Sequence, residues 1–133
     1  MARLAQSSRA IRAGGDFVKM IVAVIQPFRL SRVTHALEEI PGFPGMTVTD
    51  ARGFGREKSM REEGAPHRVI EDFVEYISKT RIEIVARDEM VESIAATIAR
   101  EARTGNKGDG KVFIWSVESA MRIQTGQTGD DAV

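Results

Sequence analysis

Apolar positions along the chain follow two periods, which predicts short strands mixed with amphipathic helices. Residues 20–25, MIVAVI, are almost wholly apolar, as expected of a strand that is buried on both faces. Pro27 ends this strand, and Ser31 is the predicted N-cap of a helix. One apolar face of that helix is formed at positions i, i+3, i+4 and i+7 by Val33, Ala36, Leu37 and Ile40.

The second half of the chain repeats this order of elements. After the helix-breaking segment 41–45, PGFPG, residues 46–54 alternate as a strand does, and residues 81–86 do so again. Asp88 is the predicted cap of a second helix, and residues 111–117 form a last strand. The apolar face of the second helix consists of Val91, Ile94, Ala95 and Ile98. The order βαββαβ predicts an α+β, ferredoxin-like sandwich.

The segment between the two middle strands, residues 56–78, is too long and too charged for a hairpin turn. Long loops in compact domains are usually functional or disordered, so two interpretations stay open. One is a binding loop that becomes ordered on contact with a partner, and the other is a solvated excursion without a role. The distal part predicts a short amphipathic helical turn from Val69, Ile70, Phe73, Val74 and Ile77.

Composition narrows the function classes. The length of 133 residues fits one domain. The 19 basic residues balance the 19 acidic ones, which argues against nonspecific electrostatic binding to nucleic acid or to an anionic membrane. Without cysteine the chain has no disulfide, thiolate metal site or cysteine nucleophile. No apolar run approaches the ~18 residues of a membrane span, so we expect no direct membrane insertion and a cytoplasmic protein.

The first 17 residues predict a flexible extension that ends near Gly14 and Gly15. They lack the apolar core of a secretory signal. The alternative is that natural translation begins near Val18 or Met20, which the intact mass of the natively expressed protein tests. The folded domain is predicted to span residues 18–133.

The strongest chemical signal is TGNKGDGKVFIW, residues 104–115. Its glycines allow close backbone approach or positive φ, and Lys107 and Lys111 add the charge that attracts a polyphosphate. A P-loop is excluded because Val112 stands where Ser or Thr binds magnesium, and because the loop follows a helix and precedes a strand. The alternative is a turn that only ends the helix, with an αL cap at Gly105.

Several separated motifs together carry a family resemblance. They are AVIQPFRL, GMTVTDARGFGREK, RIEIVARDEMVES, TGNKGDGKVF and MRIQTG, in that order. The chain resembles the PII family of signal-transduction proteins from about residue 18 to residue 133. The resemblance implies a homotrimer with ATP or ADP bound in clefts between subunits. It also implies a T-loop, about residues 56–78, that docks onto a regulated enzyme, kinase or membrane transporter, and a phosphate-holding B-loop, about residues 104–111.

The resemblance also assigns residues to these sites. The implied nucleotide-binding residues are Val24, Thr47, Gly53, Gly55, Arg56, Val85, Thr104, Gly108, Asp109, Gly110, Lys111 and, from a neighbouring subunit, Arg122. The implied partner-binding residues of the T-loop are Lys58, Arg61, Glu62, His67 and Arg68. Glu83 either reaches the ribose or is an ordinary exposed strand residue.

Two departures from the family pattern concern the effector. Glu57 replaces the glutamine that helps to bind Mg²⁺ and 2-oxoglutarate, although Lys79 retains the lysine that pairs with 2-oxoglutarate. A carboxylate suits Mg²⁺ but repels a diacid. Gln124 replaces a second C-terminal arginine and removes positive charge from the phosphate site. Both changes argue against 2-oxoglutarate and favour competition by ADP.

Other features separate subgroups and alternative functions. Tyr76, the one tyrosine, lies at the return of the T-loop to the sheet, so control by uridylylation is not expected. The segments IPGFPG and APHRVIEDFVEY resemble PII relatives encoded beside heavy-metal cation efflux pumps, which gives an alternative role. His35 is predicted on a helix surface and His67 on the loop surface, with a metal or partner contact as the alternative for His67, and no single-chain metal site is predicted.

Two further alternatives are an enzyme that hydrolyses ATP weakly and a metal-binding or purely structural trimer, in which the glycine-rich loop would have no ligand. The candidate bases or nucleophiles of the enzyme are Asp109, Glu57 and Thr104, and none has an evident relay partner in the sequence. No catalytic residue is therefore assigned. The family resemblance implies a regulator of nitrogen utilisation, and we predict that bound ATP or ADP controls how its T-loop is displayed.

Overall fold

The computed structural model describes residues 17–54, 68–71 and 74–133. Their helices and strands, in chain order, are β1 (Val18–Ile25), α1 (Leu30–Glu38), β2 (Thr47–Gly53), β3 (Arg68–Glu71), β4 (Val74–Arg87), α2 (Asp88–Ala102) and β5 (Gly110–Ser116). Two 3₁₀ turns span Pro27–Arg29 and Gly129–Ala132. The predicted βαββαβ order is confirmed, and β3 is an additional strand.

The strands form one antiparallel sheet in the order β2-β4-β1-β5. Strand β3 pairs with residues 74–77 of β4, where β1 has already ended, since β1 pairs with β4 from Arg87 only as far as Thr80. Ile77 is therefore paired on both sides, with Gly53 and with Arg68. The sheet extends past the sandwich as a β3-β4 hairpin.

Both helices pack on one face of the sheet. Alternate residues of β1 and β4 point towards them, and the fully buried core combines Ile21, Ala23, Ile25, Ile82, Ile84 and Ala86 with Val33, Leu37, Val91, Ile94 and Ile98 of the helices. The apolar strand and helix faces that were predicted from periods of 2 and 3.6 residues therefore pack against each other in this layer. This face accounts for only three of the seven apolar residues of β1.

The opposite sheet face, which we call the open face, is not covered by either helix. In register across it, Met20 lies opposite Trp115 and Val22 lies opposite Phe113. Phe113 and Trp115 are 50% and 49% exposed in the single chain. In the single chain, two helices on one side of the sheet therefore leave an apolar face of the sheet uncovered.

Both predicted helix caps are wrong by one or two residues. A 3₁₀ turn starts at Pro27, and α1 continues directly from it at Leu30, so Ser31 lies inside the first helical turn and Arg29 takes the N-cap position. Helix α2 begins at Asp88 itself, with Arg87 as N-cap. The Asp88 N–H donates to the Phe17 carbonyl at 2.5 Å, and its carboxylate lies 3.1 Å from the Lys19 ammonium.

The helical turn predicted over residues 69–77 is also wrong. Residues 68–71 and 74–77 form the β3-β4 hairpin instead, and Phe73 lies outside the described residues. Helical spacing over only two turns is weak evidence, and β-branched residues such as Val69, Ile70 and Val74 favour strands. The pairing also satisfies the backbone groups that an isolated turn would leave exposed.

Among the described helices, none combines the length and the apolar character that crossing a lipid bilayer requires. The longer helix, α2, has exposed Glu89, Glu92 and Arg100 on its outer side.

Candidate functional site

The glycine-rich B-loop joins the end of α2 to the start of β5. Gly105, Gly108 and Gly110 have φ values of 93°, 86° and 108°, which other residues rarely adopt. Helix α2 ends with an extended Arg103 rather than with the predicted αL cap at Gly105, although Gly105 does take positive φ. The loop therefore has a shape that the glycines make accessible, and this shape begins after the helix has ended.

The Asp109 carboxylate holds the B-loop closed from inside. One oxygen accepts the N–H groups of Thr104 and Gly105 at 2.8 and 2.9 Å, and the other accepts the Thr104 hydroxyl. The Thr104 hydroxyl oxygen in turn accepts the Asn106 N–H at 3.1 Å. These bonds connect the first and last parts of the loop.

The electrostatics of the loop favour an ionised Asp109. Partial burial acts to raise the pKa of Asp109, but hydrogen bonds from the Thr104 hydroxyl and from the N–H groups of Thr104 and Gly105, with the charge of Arg29, lower it below the ordinary value. Arg29 itself donates to the carbonyls of Glu101 and Arg103 at 2.9 and 3.2 Å. It thus ties α1 to the C-terminal end of α2, where the loop begins.

The Gly108 carbonyl is a second point at which side chains from outside the loop hold the B-loop in place. This oxygen accepts the Gln26 side-chain amide and the Lys79 ammonium, each at 2.9 Å. Lys79 is only 4% exposed, and its side chain lies against β2, since a Cβ on Gly53 would be 3.8 Å from Lys79 Cγ. Lys79 therefore connects the B-loop to the end of β2, where the T-loop segment departs.

Sequence reasoning missed Gln26. Gln26 lies directly after β1, and Pro27 alone is sufficient to explain the end of that strand, so no role is assigned to Gln26 from the sequence. Its partner Gly108 is 82 positions away in the chain. A polar residue at the end of a buried apolar strand was the available signal.

A separate cleft of ≈ 490 Å³ lies at the other end of the open face. Thr47, Val85 and Arg122 line it together, with Met20 and Glu83. The Glu83 carboxylate is paired with Arg81 Nε at 2.9 Å and remains about a third exposed. The cleft thus combines apolar walls with polar groups of both charges, as small-ligand sites do.

The structure divides the implied nucleotide residues into two groups on one chain. Lys111 lies opposite Val24 beside the B-loop, whereas Trp115 and Val85 lie opposite Met20 beside the cleft. Four residues of β1 separate these two places, which is about 13 Å along a strand. Arg122 shares its cleft with Thr47 and Val85, so a neighbouring subunit that supplied Arg122 would supply those two residues as well.

The root of the T-loop is held by a ring contact. The rings of Phe54 and Tyr76 lie 5.8 Å apart at 55°, and the Arg52 guanidinium lies 5.6 Å from the centre of the Tyr76 ring. Arg68 belongs to β3. The remaining T-loop candidates lie outside the described residues, namely Gly55, Arg56, Glu57, Lys58, Arg61, Glu62 and His67.

Among residues 17–54, 68–71 and 74–133, no group of three or more His, Asp or Glu side chains could hold a metal ion. His35 is exposed on α1, as predicted for a surface helical residue.

Comparisons with known proteins agree with this architecture. A family model described as Nitrogen regulatory protein P-II matches residues 18–127. The Nitrogen regulatory protein P-II of Bradyrhizobium diazoefficiens is 46% identical over 116 residues, which cover 87% of this chain and 100% of the relative. Nitrogen regulatory protein P-II 1 of Escherichia coli is 44% identical over the same shares of both chains.

A comparison with solved structures also identifies a PII protein. Arabidopsis thaliana PII bound to citrate superposes with a TM-score of 0.69 at 35% identity, covering 88% of this chain and 92% of that one. The chain therefore shares its overall fold with a solved PII protein. The chain is a member of the PII family of nitrogen regulatory proteins.

Proposed function

We propose that the protein senses ATP or ADP at its B-loop and reports the bound nucleotide to a target protein through its T-loop. The observation that carries this proposal is the position of Lys79, whose ammonium contacts the Gly108 carbonyl and whose stem lies against Gly53. A ligand that moves the B-loop acts on Lys79, and a movement of Lys79 acts on the root of the T-loop. Two nucleotides that differ in phosphate number then favour different loop conformations.

The residues around the B-loop suit phosphate chemistry. Glycine backbone approaches an anion closely, and the exposed Lys111 at the start of β5 supplies positive charge beside it. Thr47 and Val85 offer a surface for adenine in the cleft, and Arg122 offers a guanidinium for the phosphates. The two groups act on one nucleotide when they come from two adjacent copies of the chain.

A homotrimer provides such adjacent copies. The open face carries Phe113 and Trp115, whose half-exposed rings favour burial against another copy. A closed, symmetric assembly would bury this face on every subunit and would place the B-loop of one subunit near the cleft of the next.

Mg²⁺ and a small carboxylate effector are the further ligands of this proposal. Glu57 is a suitable Mg²⁺ ligand, whereas its charge opposes 2-oxoglutarate. The family resemblance assigns Lys79 as the cation for a carboxylate effector, and its ammonium lies 2.9 Å from the Gly108 carbonyl, beside the proposed nucleotide site. The neighbour from Arabidopsis thaliana was solved with citrate, which is also a small carboxylate. We expect nucleotide to bind without 2-oxoglutarate, and ADP to compete effectively because Gln124 replaces an arginine.

The regulated target is a cytoplasmic enzyme, a kinase or a membrane transporter, reached by Lys58, Arg61, Glu62, His67 and Arg68 of the T-loop. The relatives reported above are nitrogen regulatory proteins, which favours nitrogen utilisation and gives no support to the heavy-metal efflux alternative. Of the groups considered for ATP hydrolysis, Asp109 and Thr104 are bonded to each other in the loop, which favours a regulator over an enzyme.

Calorimetric titration with ATP and with ADP tests the proposal, in the presence of Mg²⁺ and with or without 2-oxoglutarate. Lys111→Ala should weaken ATP binding about 10- to 100-fold, the loss expected for one charge-assisted contact. The matched control is Arg32→Ala, which removes an exposed positive charge from α1 and should bind as the unmodified protein does.

Failure of the unmodified protein to bind either nucleotide would refute the proposal. Equal affinities of Lys111→Ala and Arg32→Ala would refute the placement of the phosphates. If 2-oxoglutarate strengthens ATP binding, the expected effect of Glu57 is wrong and the protein senses nitrogen status as well as adenylates.

A further inference from the structure

We propose that Asp109 is a positioning residue of the nucleotide site, which acts by fixing the B-loop and does not itself contact the nucleotide. This inference rests on the proposed nucleotide function. Asp109 stands between Gly108 and Gly110, the two glycines nearest to Lys111, and both have positive φ. The side chain of Asp109 therefore controls the backbone that an anion would approach.

The hydrogen bonds of the Asp109 carboxylate are directed back into its own loop. Both carboxylate oxygens are engaged, by the hydroxyl and N–H of Thr104 and by the N–H of Gly105. These donors lie at the start of the loop, four and five positions before Asp109. The bonds thus close residues 104–109 into a ring that the α2 terminus supports through Arg29.

The two neighbours of Asp109 in the chain, Gly108 and Gly110, are fixed by contacts with other parts of the protein. Gln26 and Lys79 hold the carbonyl of Gly108, the residue before Asp109. Gly110, the residue after Asp109, packs so closely on β1 that a Cβ would lie 1.8 Å from the Val24 carbonyl oxygen. Because Gly108 and Gly110 are both anchored, the hydrogen bonds of Asp109 restrict the motion of the rest of the loop. Without its bonds, residues 104–107 would lose their link to the anchored part.

The positioning role and a direct electrostatic role predict opposite effects on affinity. A bare carboxylate beside a polyphosphate repels it, so its removal would strengthen ATP binding. A carboxylate that preorganises the loop lowers the ordering cost of binding, so its removal would weaken ATP binding. The sign of the change therefore separates the two roles.

The experiment measures the ATP dissociation constant of Asp109→Ala, Asp109→Asn, Thr104→Val and Thr104→Ser by calorimetry. We expect Asp109→Ala to weaken binding at least about tenfold, since three hydrogen bonds are lost. Asp109→Asn keeps one acceptor oxygen and should lose less. Thr104→Ser keeps the hydroxyl and should retain more affinity than Thr104→Val. Glu92→Ala, which removes an exposed carboxylate from α2, controls for net charge and should bind ATP unchanged.

A double variant tests whether Asp109 and Thr104 act as one unit. Thr104→Val should cost less in the Asp109→Ala background than in the unmodified protein, because the hydroxyl has already lost its acceptor and keeps only the Asn106 N–H as a partner. Amide exchange of Gly105 should accelerate in Asp109→Ala, with the unfolding midpoint close to that of the Glu92→Ala control.

Stronger or unchanged ATP binding by Asp109→Ala would overturn the inference, and so would full additivity in the double variant. A loss of affinity accompanied by unfolding would also count against it, because Asp109 would then be a general structural residue. If the unmodified protein binds no ATP, the proposed function fails, which is a different result from any of these.

Discussion

At the residue scale, Gly110 illustrates why the B-loop needs glycine. Its φ is 108°, and a Cβ would lie 1.8 Å from the Val24 carbonyl oxygen and 2.9 Å from the Val24 carbonyl carbon. Two separate constraints, one conformational and one steric, therefore exclude a side chain. The sequence indicated a glycine-rich loop, but the close approach to β1 depends on residues 86 positions apart and could not be seen in it.

Gly110→Ala should destabilise the fold by about 3 to 5 kcal/mol, because strain at positive φ adds to a backbone clash. Gly126→Ala is the matched control, since Gly126 has φ 76° and open space around its Cβ position. The control should cost only the conformational part, about 1 kcal/mol. Urea unfolding measures both variants, and equal losses would show that the approach to Val24 is not restrictive.

At the scale of elements, the sequence predicted those whose period extends over several residues. The apolar run of β1 was located to within two residues at each end, and the start of α2 to within one residue. The β3-β4 hairpin was predicted as a helical turn, since Val69, Ile70 and Val74 also fit helical spacing and only pairing with the sheet decides between the two. Long-range pairing is not encoded in local periodicity, so such segments stay ambiguous.

The candidate site was predictable to a similar degree. The glycine-rich segment and Lys111 were recognised from local composition, because glycines and lysines near an anion act through the backbone and through charge. The anchors of the loop were not recognised. Gln26 contacts the loop across 82 positions of sequence, and Arg29 contacts the end of α2, where the loop begins, across 72 positions. These contacts exist only once the elements have packed.

Arg29 gives a test of how the elements are joined. Arg29→Met removes the bonds to the carbonyls of Glu101 and Arg103 but keeps the apolar stem, so it should destabilise the fold by about 1 to 3 kcal/mol. Arg32→Met makes the same change at an exposed position of α1 and should alter stability by less than about 0.5 kcal/mol. Thermal unfolding at matched pH compares them. Equal melting temperatures of the two variants would show that Arg29 does not stabilise the end of α2.

At the scale of the whole molecule, the proposed assembly accounts for both the open face and the separation of the B-loop from the cleft. An apolar sheet face with Phe113 and Trp115 half exposed is suited to burial against other copies of the chain. The B-loop and the cleft, about 13 Å apart along β1, then become the two halves of sites between copies. A single chain offers another arrangement, in which one nucleotide crosses the open face, and the two arrangements are distinguishable.

The most direct test of the central claim is ATP binding by mixed assemblies. Chains carrying Lys111→Ala are co-expressed with chains carrying Arg122→Ala, each with its own tag, and assemblies that contain both tags are purified. A site between subunits takes Lys111 from one chain and Arg122 from the next, so each mixed trimer should regain about one full-affinity site. Assemblies of either variant alone should have none.

If both groups of one site came from the same chain, every site of a mixed assembly would still carry one defect. The account therefore predicts recovery of tight ATP binding in the doubly tagged fraction, at about one nucleotide per trimer. Affinity in that fraction no better than in the single variants, or failure to obtain any doubly tagged assembly, would contradict it.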